Sequence, residues 1–188
     1  MKLLRLAIAG AFALASFVMP ALAAEDDFLT IQLKDGPVVV QLMPEVAPKH
    51  VAQVKALAAK GEYDNVAFHR VIQGFMAQTG DVQFGDMEDG FNASRAGTGG
   101  SDLPDLPAEF SKVPFERGTV GMARSQDPNS ANSQFFIMFD EGSFLNGQYT
   151  VIGKVVSGME NVDKIKRGEG GNGEVSDPDR MIKVTVGK

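Results

Sequence analysis

The sequence predicts a mainly β fold: an antiparallel barrel or sandwich with helices over its open ends. Three observations lead there. Apolar and polar residues alternate in several short runs, as strands with one buried face require. Only two stretches carry helical spacing, one early and one late, so no βαβ series is present. A long stretch rich in Gly, Asp and Pro, residues 80–114, carries neither period.

The elements follow in order. Leu29, Ile31 and Leu33 alternate with Thr30 and Gln32, and Val38, Val40 and Leu42 repeat the pattern. Lys34-Asp35-Gly36-Pro37 between them is a turn signal, so the pair predicts a β-hairpin. Pro48 opens a helix with Val51, Val54, Leu57 and Ala58 on one face, and Gly61 is placed to stop it. Residues 63–72 and 75–79 are extended, separated by Gly74. Alternation would put Phe68 and Arg70 on one face of the first segment. Residues 80–114 are mostly loop, and structureless loops of that length tend to be functional. Strands follow at 119–123, 134–138, 150–156 and 181–186. A second helix carries Met159, Val162, Asp163 and Ile165 and ends near Gly168.

Residues 1–23 stand apart from the fold. Lys2 and Arg5 precede an apolar run from Leu6 to Met19, and Pro20 breaks it before Ala21-Leu22-Ala23. This is the pattern of a secretory signal peptide cleaved after Ala23. The apolar run is short for a membrane span of ~20 residues. Residues 24–188 then form a single domain with no membrane attachment after cleavage. Cleavage removes two cations and no acid, taking the net charge from −6 to −8. The expected destination is the periplasm, because a chain with 0 cysteines has no thiol to mispair under oxidising conditions.

Composition excludes several kinds of chemistry. Without cysteine there is no thiolate nucleophile and no Cys-ligated metal. With only His50 and His69, no histidine-rich centre is expected. The acidic balance, 24 acids against 18 bases, argues against nucleic acid as a partner. No G-x-S-x-G elbow is present, and Gly142-Ser143-Phe144-Leu145-Asn146-Gly147-Gln148 has glutamine where a phosphate-binding loop needs lysine. Gly97-Thr98-Gly99-Gly100 lacks the strand-to-helix setting of a dinucleotide site. Asp86, Glu88 and Asp89 lack calcium-loop spacing. No cofactor and no metal are expected. What remains is a set of residues able to hold a peptide: Arg70, Phe75, Met76 and Gln78 on neighbouring segments, and Gln134 and Phe136 on one face of another.

Two longer motifs sharpen that reading. Phe68-His69-Arg70-Val71-Ile72-Gln73-Gly74-Phe75-Met76-Ala77-Gln78-Thr79-Gly80-Asp81 resembles the hallmark segment of cyclophilins, the cyclosporin-class peptidyl-prolyl cis–trans isomerases. Gly121-Met122-Ala123-Arg124 through Asn132-Ser133-Gln134-Phe135-Phe136-Ile137 is similar to the second hallmark. Gly97-Thr98-Gly99-Gly100 and Phe144-Leu145-Asn146-Gly147 resemble two further family segments, and the likeness spans roughly residues 27–187.

The resemblance implies an eight-stranded antiparallel β-barrel capped by two α-helices, cyclophilin-like. It implies that Arg70 is the catalytic arginine. Phe75, Met76, Phe136 and Leu145 would take the proline ring. Gln78, Gln134, Ala123 and Arg124 would hold the substrate backbone. Arg124 stands where asparagine is frequent, a position whose role is largely through its backbone. Phe144 stands where many members have tryptophan, and Tyr149 where many have histidine; both keep an aromatic surface. The loop between Asp81 and Gly97 is longer than in compact members. His69 is expected to be structural, on the face opposite Arg70. The implied partners are proline-containing peptides and unfolded or folding exported proteins. A monomer is the default, since the sequence carries no coiled-coil heptad or obvious interface helix. A proline-peptide binding module or chaperone with little turnover is the competing reading. A hydrolase lacks a nucleophile–base pair. Export is tested by N-terminal sequencing of the protein from the periplasmic fraction: Ala24 should come first, and an intact Met1 there would overturn the cleavage reading.

Overall fold

A computed structural model describes residues 25–188. A 3-10 turn over Glu25–Asp27 leads into β1 (Phe28–Leu33), β2 (Gly36–Leu42) and the helix α1 (Pro48–Lys60). Next come β3 (Arg70–Ile72), β4 (Met76–Thr79), β5 (Thr119–Met122) and β6 (Phe135–Met138). A 3-10 turn at Ser143–Leu145 precedes β7 (Val151–Ser157), the short helix α2 (Met159–Val162) and β8 (Lys183–Val186). Every strand pair is antiparallel. The order is β3-β4-β6-β5-β7-β2-β1-β8, eight strands curled into a half-barrel.

The sheet has two apolar faces, and each covers a different cluster. Leu29, Ile31, Val38, Val40, Phe135, Ile137 and Ile152 fill the interior together with Val51, Val54 and Leu57 of α1. The alternate residues of β4 and β6, Met76, Phe136 and Met138, form an outer cluster with Phe115, Leu145 and Val151. Strand periodicity therefore sends neighbours Phe135 and Phe136 to opposite sides of the sheet. This outer cluster is the foundation of the site described below.

The hairpin register runs from Phe28↔Gln41 to Leu33↔Gly36, which leaves Lys34 and Asp35 as the two-residue turn. Pro48 occupies the first turn of α1, and Gly61 ends it with φ 77, a left-handed conformation glycine adopts without steric cost. No side chain next to Pro48 caps the helix. The cap comes instead from the long loop. The Glu109 carboxylate accepts the Lys49 N–H at 3.1 Å, the His50 N–H at 3.1 Å and the His50 Nδ1–H at 2.7 Å. Among the described residues no helix is long and apolar enough to cross a membrane.

Several expectations are corrected. Residues 63–72 do not form one strand: Asn65 has φ 62, Val66 and Ala67 make only isolated bridges, and pairing begins at Arg70. Phe68 and Arg70 therefore do not share a face. Phe68 is fully buried in the interior cluster with Val71, while Arg70 is half-buried on the other side. The second helix is a single turn ending at Val162; Ile165 is buried from the turn beyond it. The last strand begins at Lys183, because Met181 instead donates its N–H to the Val66 carbonyl at 2.9 Å. Residues 80–114 contain neither helix nor strand, as expected.

The edge strands β3 and β8 are not paired with each other. Between β3 and β8 runs the irregular segment 166–181. Val71 N–H bonds the Gly173 carbonyl at 2.7 Å, Val175 N–H the His69 carbonyl at 3.1 Å, and Phe68 N–H the Asp179 carbonyl at 2.8 Å. The signal-peptide pattern at 1–23 lies outside the described residues.

The cap makes a prediction. Burial alone would raise the Glu109 carboxyl, but hydrogen bonds from the His50 ring and from the His50 and Lys49 N–H groups outweigh it and hold the group below its ordinary value. A carboxyl lowered on folding stabilises the fold at pH above its unfolded value, and that stability is lost as pH falls through the folded value. Glu109→Gln should lower stability at neutral pH by about 1–2 kcal/mol. The gap between the two proteins should shrink as pH drops from about 5 toward 3. Urea melts at several pH values measure it, and a gap independent of pH would exclude the carboxylate cap.

Candidate functional site

Cross-strand register assembles the site. Arg70 pairs with Gln78, Gln78 with Phe136, and Phe136 with Gly121. Directly opposed residues in adjacent strands point to the same face, about 5 Å apart. Arg70, Gln78 and Phe136 thus form one row on the outer face. Met76, two residues from Gln78 along β4, joins them.

Ten of the eleven residues singled out in the sequence line one pocket of about 290 Å³. They are Arg70, Phe75, Met76, Gln78, Ala123, Arg124, Phe136, Phe144, Leu145 and Tyr149. The eleventh, Gln134, lines an adjoining pocket of about 240 Å³ with Gly97, Thr98 and Gly99. Gln78, Ala123 and Arg124 border both, so the two pockets form one groove.

The groove has an apolar floor and aromatic walls. Met76, Phe136 and Leu145 are buried and form the floor. Phe136 stacks on Phe115 at 5.7 Å and meets the edge of Tyr149 at 5.9 Å. Phe75 and Phe144 pair at 5.4 Å on the rim, where Phe144 is 63% exposed. Gly121 lies beneath the Phe115–Phe136 stack; a Cβ there would sit 2.5 Å from Phe115 Cε1 and 2.7 Å from Phe136 Cζ. Glycine is required by this close approach, since its φ is not positive.

A polar chain crosses the groove. Arg70 Nε donates to the Asn172 carbonyl at 2.9 Å, and Arg70 Nη1 to Gln78 Oε1 at 3.2 Å. Gln78 Nε2 donates to Gln134 Oε1 at 3.0 Å, and Gln134 Nε2 to the Gly99 carbonyl at 2.8 Å. Each amide is thereby oriented, and Arg70 Nη2 has no partner among the described residues. A fixed guanidinium with free donors can bind a carbonyl or a developing lone pair. Arg124 is different. Its guanidinium lies 4.4 Å from the Tyr149 ring centre and donates to the carbonyls of Gln148 at 3.0 Å and Ser125 at 2.8 Å. Its guanidinium is thereby held against its own loops, while the Ala123 N–H bonds the Gln134 carbonyl at 2.9 Å.

His69 is buried, and among the described residues neither ring nitrogen has a hydrogen-bond partner. Burial lowers its pKa, so the ring is neutral at neutral pH. Among the described residues no group of three His, Asp or Glu is placed to hold a metal ion.

Sequence reasoning missed three supports. Asn172 anchors Arg70 across 102 positions of chain, and no local pattern marks it. Phe115 backs Phe136 from the short connection between the 80–114 loop and β5, where neither period marks it. Asp81, fully buried, accepts N–H bonds from Gln83, Phe84, Gly97 and Gly99, and so ties both ends of the 82–98 loop together. Asp81 closes the first hallmark motif, which was the available signal.

Comparison with known proteins gives consistent results. The family model described as cyclophilin type peptidyl-prolyl cis-trans isomerase/CLD matches residues 28–186. A probable peptidyl-prolyl cis-trans isomerase of Brucella suis is 67% identical over 171 residues, covering 90% of this chain and 87% of the relative. Peptidyl-prolyl cis-trans isomerase-like 2 of Cryptococcus neoformans is 39% identical over 143 residues, 74% of this chain and 23% of the larger relative. Among solved structures, cyclophilin AquaCyp293 from Hirschia baltica superposes with a TM-score of 0.73 at 27% identity, covering 87% of this chain and 75% of that one. A cyclophilin type peptidyl-prolyl cis-trans isomerase of Cryptosporidium parvum, solved in the presence of the dipeptide Ala-Pro, gives 0.73 at 26% identity, covering 86% and 99%.

The Gly121 contact predicts the outcome of one substitution. Gly121→Ala should cost about 1–3 kcal/mol of stability, the usual range for overpacking. It should also weaken proline-peptide binding, because the Phe136 ring must move. Chemical denaturation and a peptide titration test both effects; unchanged values in the two would show that the stack yields freely.

Proposed function

The chain belongs to the cyclophilin-type peptidyl-prolyl cis–trans isomerase family, and from that membership we propose that its groove turns over X–Pro bonds, with Arg70 as the catalytic residue. One observation carries the assignment: Arg70 is held at two of its nitrogens on the lip of an apolar pocket, with a third nitrogen free. Met76, Phe136 and Leu145 give that pocket an apolar floor for the proline ring, with Arg70 in its wall.

The chemistry asks for little else. Rotation about an X–Pro amide meets a barrier of about 20 kcal/mol because twisting breaks conjugation. In the twisted state the prolyl nitrogen regains a lone pair able to accept a hydrogen bond. Arg70 donates toward that nitrogen or the neighbouring prolyl carbonyl, which favours the twisted state over either planar one. This is transition-state binding, with no covalent intermediate. Met76, Phe136 and Leu145 hold the ring while the N-terminal side of the bond turns. Gln78, Gln134 and the 123–124 backbone hold the flanking chain, and Phe75, Phe144 and Tyr149 wall the ring in. A 10⁵-fold acceleration corresponds to about 7 kcal/mol, within reach of a few such interactions.

We assign the cellular role to the folding of exported proteins, on the strength of the 1–23 leader pattern and the absence of cysteine.

Cis–trans exchange in an Ala-Pro peptide, followed by NMR with the purified protein, tests the reaction. Arg70→Ala should lower kcat/KM by on the order of 100-fold with the fold intact. Arg70→Lys should also be poor, since one ammonium does not replace a planar fork. A loss under about threefold would remove Arg70 from the mechanism. Peptide binding without turnover in the unaltered protein would make the groove a proline-binding module.

A further inference from the structure

Arg70 separates two cavities. One is the proline pocket. The other, about 310 Å³, lies behind it and is bounded by His69, Phe91, Gly97, Asn172 and Glu174. It opens past Phe91 and Glu174 into an outer depression of about 290 Å³ that adds Glu169 and Asp177. Together they make a channel leading away from Arg70 between the 82–98 loop and the irregular 166–181 segment.

The charge along this channel changes sign. Arg70 is its only cationic wall, and two of its nitrogens are committed to Asn172 and Gln78. Farther out stand the carboxylates of Glu169, Glu174 and Asp177. Among the described residues Glu169 and Glu174 make no ion pair, and Asp177 meets only Lys166 at 3.5 Å. The Glu169 N–H bonds the Glu174 carbonyl at 3.1 Å, which holds the two acids on one turn. His69, buried in the inner wall with both ring nitrogens unpartnered, is neutral and does not offset them. Phe91, 36% exposed, lines both cavities and so stands at their junction.

We infer that this channel is a subsite for a lysine or arginine side chain of the peptide close to its X–Pro bond. The inference rests on the isomerase reading of the groove. A long aliphatic stem lies along Phe91, and its cationic head reaches the Glu169–Glu174 turn. A glutamate at the same peptide position meets like charge. Exposed carboxylates act weakly one at a time, so two or three together give a preference of about tenfold.

The test uses Ala-Pro peptides that differ only in Lys, Gln or Glu at one position within three residues of the proline. Exchange catalysed by the purified protein is measured at low salt. At one position Lys should exceed Glu by about tenfold in kcat/KM, with Gln between them. The ratio should fall toward one in about 0.5 M salt, where screening is nearly complete over the channel. It should also fall toward one in Glu169→Gln/Glu174→Gln. Equal turnover of all three peptides overturns the subsite and leaves the isomerase reading standing. A preference that survives both salt and the double substitution also overturns it, because the selectivity then lies elsewhere. If the Gln peptide itself is not turned over, both readings fall together.

Discussion

Cross-strand register over β3, β4, β6 and β5 is the constraint on which the groove depends. Arg70, Gln78, Phe136 and Gly121 are consecutive partners in that ladder. Strand side chains alternate with a period of two, so a slip of one residue in β4 would turn Gln78 and Met76 inward and present Ala77 in their place. The interior enforces the register. Val71, Ala77, Phe135 and Ile137 occupy the opposite face and are sealed from water. Moving them outward would expose the core, so hydrophobic packing on one side fixes polar geometry on the other.

Loop structure supplies what the ladder cannot. The buried Asp81 carboxylate gathers four backbone N–H groups from both ends of the 82–98 segment. A charge that deep is tolerable only when its lone pairs are filled. The bond to Gly99 N–H places the Gly99 carbonyl where Gln134 donates to it, and the order passes through Gln78 to Arg70. Core, ladder and loop therefore converge on one guanidinium.

Much of this was legible in the chain because its signals are local. Alternation marked the β1–β2 hairpin, and Pro48 with Gly61 marked α1 within a residue. Most groove residues lie in two motifs that keep Arg70, Phe75, Met76 and Gln78, or Gln134 and Phe136, within a few positions, and Phe144, Leu145 and Tyr149 lie together just beyond them. Contacts between distant residues left no such mark. Glu109 caps α1 from 59 positions beyond His50, and Asn172 holds Arg70 from 102 positions away. Phe68 misled for a related reason: alternation assumes a continuous strand, and Asn65 with its positive φ had already broken it. The helix α2 stops after one turn: the Asp163 N–H still bonds the Met159 carbonyl, but the N–H groups of Lys164 and Ile165 bond the carbonyls three residues back, in tighter turns.

The irregular segment between β3 and β8 has a consequence for the company this protein keeps. An open strand edge is a template to which any extended chain can add. Here both rims are occupied. Val71 spends its N–H on Gly173 and its carbonyl on Gly168, while the Asp64 carboxylate accepts the Val184 N–H of β8 at 2.9 Å. An added strand would find those backbone groups already bonded, so each rim is interrupted as a template at its middle.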